Sequence, residues 1–281
     1  MTFKASSLIQ YAILGVLGYV FVGAPLFTTL FGQSKRDVSK VSDVLKNIES
    51  LVVPEENLTC SHHSYNINIF STEPLIIYIE SFLSDEEADH LVEISEPHFE
   101  PSTVWTGGVE RLDPSVRHSE KARLERDNTV KCIEERARVF QGWRPDVFIE
   151  RLWSQRYAQN GHYRHHYDWS TSSSSSGRVS SFMVYLEANC TGGGTNFPRL
   201  TMPAHRKWCE FVECSPKHDY SGVTFKPAKG NAVFWENFRA DGTGYKESWH
   251  AGLPVLSGRK IGLNIWSWYQ KGYDPKAAAE K

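Results

Sequence analysis

Hydrophobic positions follow three regimes along the chain. From Leu8 to Phe31 they are almost continuous (LIQYAILGVLGYVFVGAPLFTTLF), and no charged residue lies between Lys4 and Lys35. At a rise of about 1.5 Å per residue, such a run crosses the hydrocarbon core of a bilayer as a helix. It is too long for a typical cleaved leader, and the small pair Gly23 and Ala24 is followed by Pro25. An uncleaved signal-anchor is therefore predicted over 8–31, behind a short tail at 1–7. Next, Val38, Val41, Leu45, Ile48 and Val52 recur at spacings of three and four on a polar background. That series predicts a helical stem over 32–53, either packed on the body or forming a short coiled coil that would make homo-oligomers. Pro54 ends it.

The remainder, 54–281, reads as one domain with helices first and strands after. Leu75 to Phe82 (LIIYIESF) predicts a strand. Ser84 with Glu87 forms a capping box that opens a helix running to about Glu96, before Pro97. Val130, Ile133, Ala137 and Phe140 mark a second helix from near Asp127 to Gly142. From Val147 the period changes to short runs divided by glycine and proline: VFIERLWSQRY, RVSSFMVYLE, GNAVFWEN and KIGLNIWSWY. The predicted class is α+β: an antiparallel jelly roll with the early helices packed outside it. The tract from Ser170 to Ser176 reads as a mobile loop between two strands.

Composition narrows the partners. With 40% hydrophobic and 13% aromatic residues the body is not a disordered chain, and 31 Lys plus Arg against 33 Asp plus Glu leave no basic field for nucleic acid. Flanking charge (Lys35, Arg36 and Lys40 after the anchor, Lys4 before it) places the body in the cytosol. Two sequons, Asn57-Leu58-Thr59 and Asn189-Cys190-Thr191, place it in a lumen as glycosylation acceptors. Of five cysteines, Cys209 and Cys214 are spaced for a short-loop disulfide; the alternatives are a zinc site with His205 and His218, or free thiols. Cys132 reads as a small buried apolar residue of the second helix.

Candidate chemistry lies in the histidines. In an extended strand positions i and i+2 share a face, and three His-x-acid triplets occur: His98/Glu100, His118/Glu120 and His166/Asp168. His98 follows a helix stop and His118 lies in the charged stretch VRHSEKARLER, which leaves His166 and Asp168, among Tyr163, Tyr167 and Trp169. His250 is the best third ligand. Lys260 follows on a strand returning after Pro254 and Gly258, and an antiparallel pairing of these two segments would bring its cation within a ligand's length of His250. Two histidines and one carboxylate make a facial triad that leaves three positions on Fe(II), suited to a bidentate oxo acid and dioxygen. Lys260 would neutralise the far carboxylate of that acid.

The joint order of FLSDEEADHL, EPSTVW, RYAQNGHYRHHYDW, RVSSFMVYLE, GGGTNFP, FKPAKGNAVFWENF, DGTG and HAGLPVLSGRK, from about Ile76 to Tyr269, resembles the catalytic domain of the prolyl 4-hydroxylase family of Fe(II)/2-oxoglutarate dioxygenases. The resemblance implies a double-stranded β-helix, iron bound by His166, Asp168 and His250, and Lys260 on the 2-oxoglutarate C5 carboxylate. It also implies Tyr157 and Thr195 beside the cosubstrate, Trp266 near the active site, and the use of O2 and L-ascorbate. Strand alternation agrees, since Asn264 and Trp266 share the face of Lys260 while Ile261, Leu263 and Ile265 face away. His165 stands where the family commonly has proline, the serine tract occupies a substrate-covering loop, and the segment from Arg199 to Tyr220 is longer than in compact members. Trp153, Trp169, Trp249 and Trp266 are candidates to line a groove for a proline-containing peptide. Arg117 and the loop from Trp105 to Ser119 are candidates to close over it. The implied protein is a procollagen-type prolyl 4-hydroxylase, single-pass type II in the endoplasmic reticulum membrane with a lumenal body. The same chemistry on lysine or a small molecule, and a silent peptide-binding jelly roll, are the alternatives.

Overall fold

The structure is a computed structural model and describes residues 51–55, 57–106, 109–169, 176–215 and 220–272. The anchor at 8–31 and the stem up to residue 50 lie outside the described residues, as do 170–175 of the serine tract. Among the described residues no helix is long and apolar enough to cross a membrane. The last position of the stem series, Val52, packs in the body: it pairs with Ile149 (N–H to O, 2.8 Å) and is buried in the main core.

The strands in chain order are β1 (Asn66–Thr72), β2 (Leu75–Glu80), β3 (Glu100–Pro101), β4 (Val104–Thr106), β5 (Val109–Arg111), β6 (Arg117–His118), β7 (Glu120–Arg123), β8 (Val147–Ile149) and β9 (Trp153–Tyr157). They continue as β10 (His162–His166), β11 (Ser176–Gly192), β12 (Thr195–Phe197), β13 (Val223–Phe225), β14 (Ala232–Glu236), β15 (His250–Gly252) and β16 (Val255–Gln270). A nine-stranded sheet runs β1-β2-β14-β11-β16-β9-β7-β3 with β8 also on β16, and a five-stranded sheet runs β13-β12-β15-β10-β6. All of the pairings are antiparallel, as the strand-like runs predict.

Period-two alternation divides the large sheet into two faces. Ile77, Ile79, Phe182, Val184, Phe234, Ile261, Leu263 and Ile265 pack against Ala88, Leu91, Val130, Ile133 and Ala137 of the two helices. Their neighbours Ile76, Tyr78, Met183, Tyr185, Val233 and Trp235 turn inward, onto Phe197, Val223 and Phe225 of the small sheet. The interior between the sheets is where buried polar side chains can be held.

Helix α1 (Asp85–Ser95) starts at the predicted capping box: Glu87 N–H donates to Ser84 Oγ at 3.1 Å and Ser84 N–H to Glu87 Oε2 at 3.0 Å. Helix α2 (Asn128–Phe140) is capped by Asp127, which accepts from Val130 N–H at 2.9 Å. It stops at Phe140 and not at Gly142, because Gln141 leaves the helical conformation and turns its side chain to Ala137 O and Ser267.

The cysteines bring one correction. Cys132 is not a lone apolar residue but is bonded to Cys60, 72 residues upstream, because the segment through Thr59 runs over this face of α2. Cys209 and Cys214 form the predicted short-loop disulfide, closing a turn (Arg206–Glu210) that packs Trp208 on Phe70 and Phe211 on Tyr78. With both thiols in that bond the zinc alternative lapses; His205 instead caps the turn, accepting from Lys207 N–H at 3.1 Å, and His218 lies outside the described residues.

Candidate metal centre and cosubstrate pocket

β10 ends on His166 and β15 begins on His250, and the two residues lie directly opposite each other across the small sheet. Asp168 stands in the bend two residues past β10. The ligating atoms of His166, Asp168 and His250 all lie within 4.8 Å of one another, the one such cluster among the described residues. His166 Nε2 is 3.6 Å from Asp168 Oδ1, and His250 Nε2 is 4.0 Å from Asp168 Oδ2. The other two triplets gather no third ligand: His98 sits in a short turn after α1, and Glu120 pairs with Arg156.

Each ring is set for coordination. His166 Nδ1 donates to Arg164 O at 2.8 Å and His250 Nδ1 to Ser248 O at 2.9 Å. A carbonyl only accepts, so each Nδ1 carries a proton and each Nε2 is the ring nitrogen turned to the triangle. Burial, then His166, pulls His250 down to about 4 against the opposing pull of Asp168, so the ring is neutral at pH 7. Burial alone would push the Asp168 carboxyl up, but His250, His166 and Arg178 outweigh it and hold it below the usual range, ionised.

Lys260 reaches this centre by a different route from the one the sequence suggests. β15 pairs with β10 and β12, and β16 belongs to the large sheet, so His250 and Lys260 are not on paired strands. The chain crosses between sheets around Leu253 and Pro254, and Lys260 points back across the interior. Its Nζ lies 3.9 Å from where a Gly252 Cβ would stand. It donates to Gly193 O at 2.5 Å and sits 4.6 Å from the Tyr157 ring centroid. Gly193 is at φ +69°, the turn that aims this carbonyl inward.

Lys260 is 1% exposed, burial pulls it down to about 8, and among the described residues no carboxylate lies within ion-pair reach. A buried cation without a counter-charge is costly, and the distal carboxylate of an oxo acid would supply one. The donor set of two imidazole nitrogens and one carboxylate fits a divalent iron.

The remaining predicted residues surround this pair. Tyr157 lies opposite Lys260 on β9, with its hydroxyl on Gln155 Oε1 at 2.9 Å. Thr195 is buried and shares a 2.8 Å hydrogen bond with the Tyr185 hydroxyl. Trp266 lies on the inward face of β16, under the Arg178 guanidinium at 3.9 Å, and Arg178 is held by Glu150 through bonds of 2.6 and 2.9 Å. Arg117 stacks on Tyr163 at 4.6 Å, and Trp105 is exposed in the hairpin of β4 and β5. Of the four groove tryptophans, Trp169 and Trp249 gather around Tyr167, while Trp153 sits against Lys121. Tyr185 and Glu150 were not singled out by the sequence. Alternation with Met183 puts Tyr185 on the inward face, but its partner Thr195 belongs to the other sheet.

Residues 152–268 match the family model of the 2OG-Fe(II) oxygenase superfamily. Prolyl 4-hydroxylase 1 of Arabidopsis thaliana is 30% identical over 272 residues, covering 92% of this chain and 90% of the relative. The chain belongs to the prolyl 4-hydroxylase family of 2OG-Fe(II) oxygenases. The human prolyl 4-hydroxylase subunit alpha-3 is 30% identical over 208 residues, 70% of this chain, which spans only 34% of that subunit's length. Among solved structures, a viral collagen prolyl hydroxylase from Paramecium bursaria Chlorella virus 1, in its 2OG complex, superposes with a TM-score of 0.52 at 28% identity, over 69% of this chain and 96% of that one. As 2OG-Fe(II) oxygenases, prolyl 4-hydroxylases work with Fe(II), 2-oxoglutarate and dioxygen, the set that the His166, Asp168, His250 and Lys260 chemistry suits.

Proposed function

We propose that the chain is a membrane-anchored prolyl 4-hydroxylase that hydroxylates peptidyl proline while converting 2-oxoglutarate to succinate. The observation that carries this reading is the triangle of His166, Asp168 and His250 facing, across the barrel, a buried lysine with no counter-ion among the described residues. Iron, when bound, activates dioxygen and couples decarboxylation of 2-oxoglutarate to oxidation of the target carbon, with ascorbate keeping it reduced.

The protein's part is placement. His166, Asp168 and His250 would hold the ion and leave positions on it for reactants. Lys260 takes the C5 carboxylate, with the Tyr157 ring beside its ammonium and the Gly193 carbonyl fixing one of its protons. The hydroxyls of Thr195 and Tyr185 offer a second polar contact at the inner end of the pocket. Aromatic surface at Trp266 and the hairpin carrying Trp105 line the approach of an extended, proline-containing peptide.

For compartment, the two disulfides side with the sequons against the flanking charges, since such bonds persist in oxidising spaces. Asn57 and Asn189 are both exposed. We therefore place the body, 54–281 with Leu51 and Val52 packed into it, in the endoplasmic reticulum lumen behind the anchor at 8–31 and the remainder of the stem predicted over 32–53.

The test uses the full-length chain in detergent with Fe(II), ascorbate, 2-oxoglutarate and a panel of proline-rich peptides. Succinate release stimulated by peptide, with one oxygen gained at proline and nothing from the His166→Ala variant, is the expected outcome. Peptide-independent turnover, or an oxygen gained on lysine, would refute the proline assignment.

A further inference from the structure

His166 and Asp168 belong to one segment and His250 to a distant one, so something must hold the two at coordinating distance. Backbone pairing does this for His166 and His250, the last pair of the ladder, and stops two residues short of Asp168. The β10 to β15 ladder breaks register between Tyr163 and His166, immediately before the ligands. A side-chain contact on the far side of Asp168 takes over. Trp169 donates its indole N–H to Ser248 Oγ at 3.0 Å. Ser248 is fully buried, and its hydroxyl donates onward to Tyr245 O at 2.8 Å. The backbone carbonyl of this same serine accepts the His250 Nδ1 proton. Ser248 thus meets the Asp168 segment with its side chain and the His250 ring with its main chain.

The indole is wedged into its place. It packs on Tyr167 at 4.4 Å and Phe238 at 5.7 Å, and it fills the space over Gly244, where a Cβ would come within 2.3 Å of the ring. A neighbouring strut is weaker: Tyr167 donates to Lys246 O at 3.4 Å, a carbonyl shared with Arg199 Nη1 at 2.9 Å. Neither Trp169 nor Ser248 supplies an atom to the triangle. Residues that orient ligands from outside commonly change metal affinity ten- to a hundredfold.

We propose that Trp169 and Ser248 are positioning residues of the metal centre: their hydrogen bond sets the separation between Asp168 and His250 at which one ion meets all three ligands. The inference rests on the metal reading above. Its test is Co(II) titration of the metal-free full-length chain in detergent, read by isothermal calorimetry and by the visible ligand-field spectrum, beside the melting temperature of each metal-free protein. Trp169→Phe removes the donor together with the benzo edge of the indole that lies over Gly244, and Ser248→Ala removes the acceptor together with the hydroxyl's own bond to Tyr245 O, so the metal-free melting temperature reads the packing lost in each.

Each variant is expected to bind Co(II) about tenfold more weakly with an altered spectrum, and the double variant no more weakly than the weaker-binding single variant, because the Trp169–Ser248 bond is the contact that both delete. Unchanged Co(II) affinity and spectrum would overturn the proposal, whether or not the metal-free variants melt earlier, since earlier melting alone is ordinary packing. Additive losses in the double variant would also overturn it. Wild-type chain that takes up no Co(II) is a distinct result, and it would sink the metal reading itself.

Discussion

A buried ammonium with no carboxylate partner among the described residues would make fold stability and the proposed cosubstrate binding respond to pH in opposite senses. Lys260 is pulled by burial to about 8, below the 10.5 of a free lysine. Between these values the unfolded chain holds this proton and the native chain does not, so the contribution of Lys260 to stability rises with pH. Below about 8 both hold it and the full cost of burial, up to about 3 kcal/mol, is present. The denaturant midpoint of cosubstrate-free protein should therefore gain from this group between pH 8 and 10, while 2-oxoglutarate binding weakens over the same range. Lys260→Met should abolish both trends and raise the KM for 2-oxoglutarate. The three residues that the structure brings together were legible because a shared ion would need donors at fixed local positions: His166 and Asp168 sit two apart among aromatic residues, and His250 stands between Trp249 and a turn. What surrounds them was not. Tyr185 meets Thr195, and Lys260 meets the Gly193 carbonyl, through contacts between separate sheets, where no short-range spacing points.

At the scale of elements, local chemistry predicted local structure well. The α1 start was visible because the capping box satisfies two orphan N–H groups with residues three apart. Alternation from Lys260 assigned the faces of β16 because one face must meet the helices. Errors arose where the deciding partner is remote. Cys132 looked like an apolar helix residue since Cys60 lies in another part of the chain, and β15 and β16 looked like a pair because a short turn separates them. The Cys60–Cys132 bond closes a loop whose constraint on the unfolded chain contributes up to about 4 kcal/mol. A Cys60→Ser, Cys132→Ser double variant should thus lose several kcal/mol in chemical denaturation. The Cys209–Cys214 bond spans only five residues, so its removal should cost less.

For the whole molecule, composition indicated a globular body without a nucleic-acid field, and the order of motifs indicated the jelly roll. Orientation of the proposed anchor was contested within the sequence, because charges beside it and sequons in the body report on different events. Glycan analysis of the expressed full-length chain decides it: a mobility shift on endoglycosidase treatment, lost in the Asn57→Gln, Asn189→Gln variant, is expected for a lumenal body. An unshifted chain whose cysteines are all reactive to thiol reagents would place the body in the cytosol.

Lys260 and the two histidines of the proposed metal centre stand on opposite sheets, and that division has a mechanical consequence. A molecule of 2-oxoglutarate gripped at one end by the ion and at the other by Lys260 would be a cross-brace tying the two walls of the barrel together. Metal and cosubstrate would then reinforce each other's retention through the scaffold as well as through direct coordination. Between turnovers the walls would keep only their own cross-links, such as the Tyr185–Thr195 hydrogen bond and the packing of Trp235 on Phe197, and the barrel would be the more yielding state, in which reactants enter and products leave.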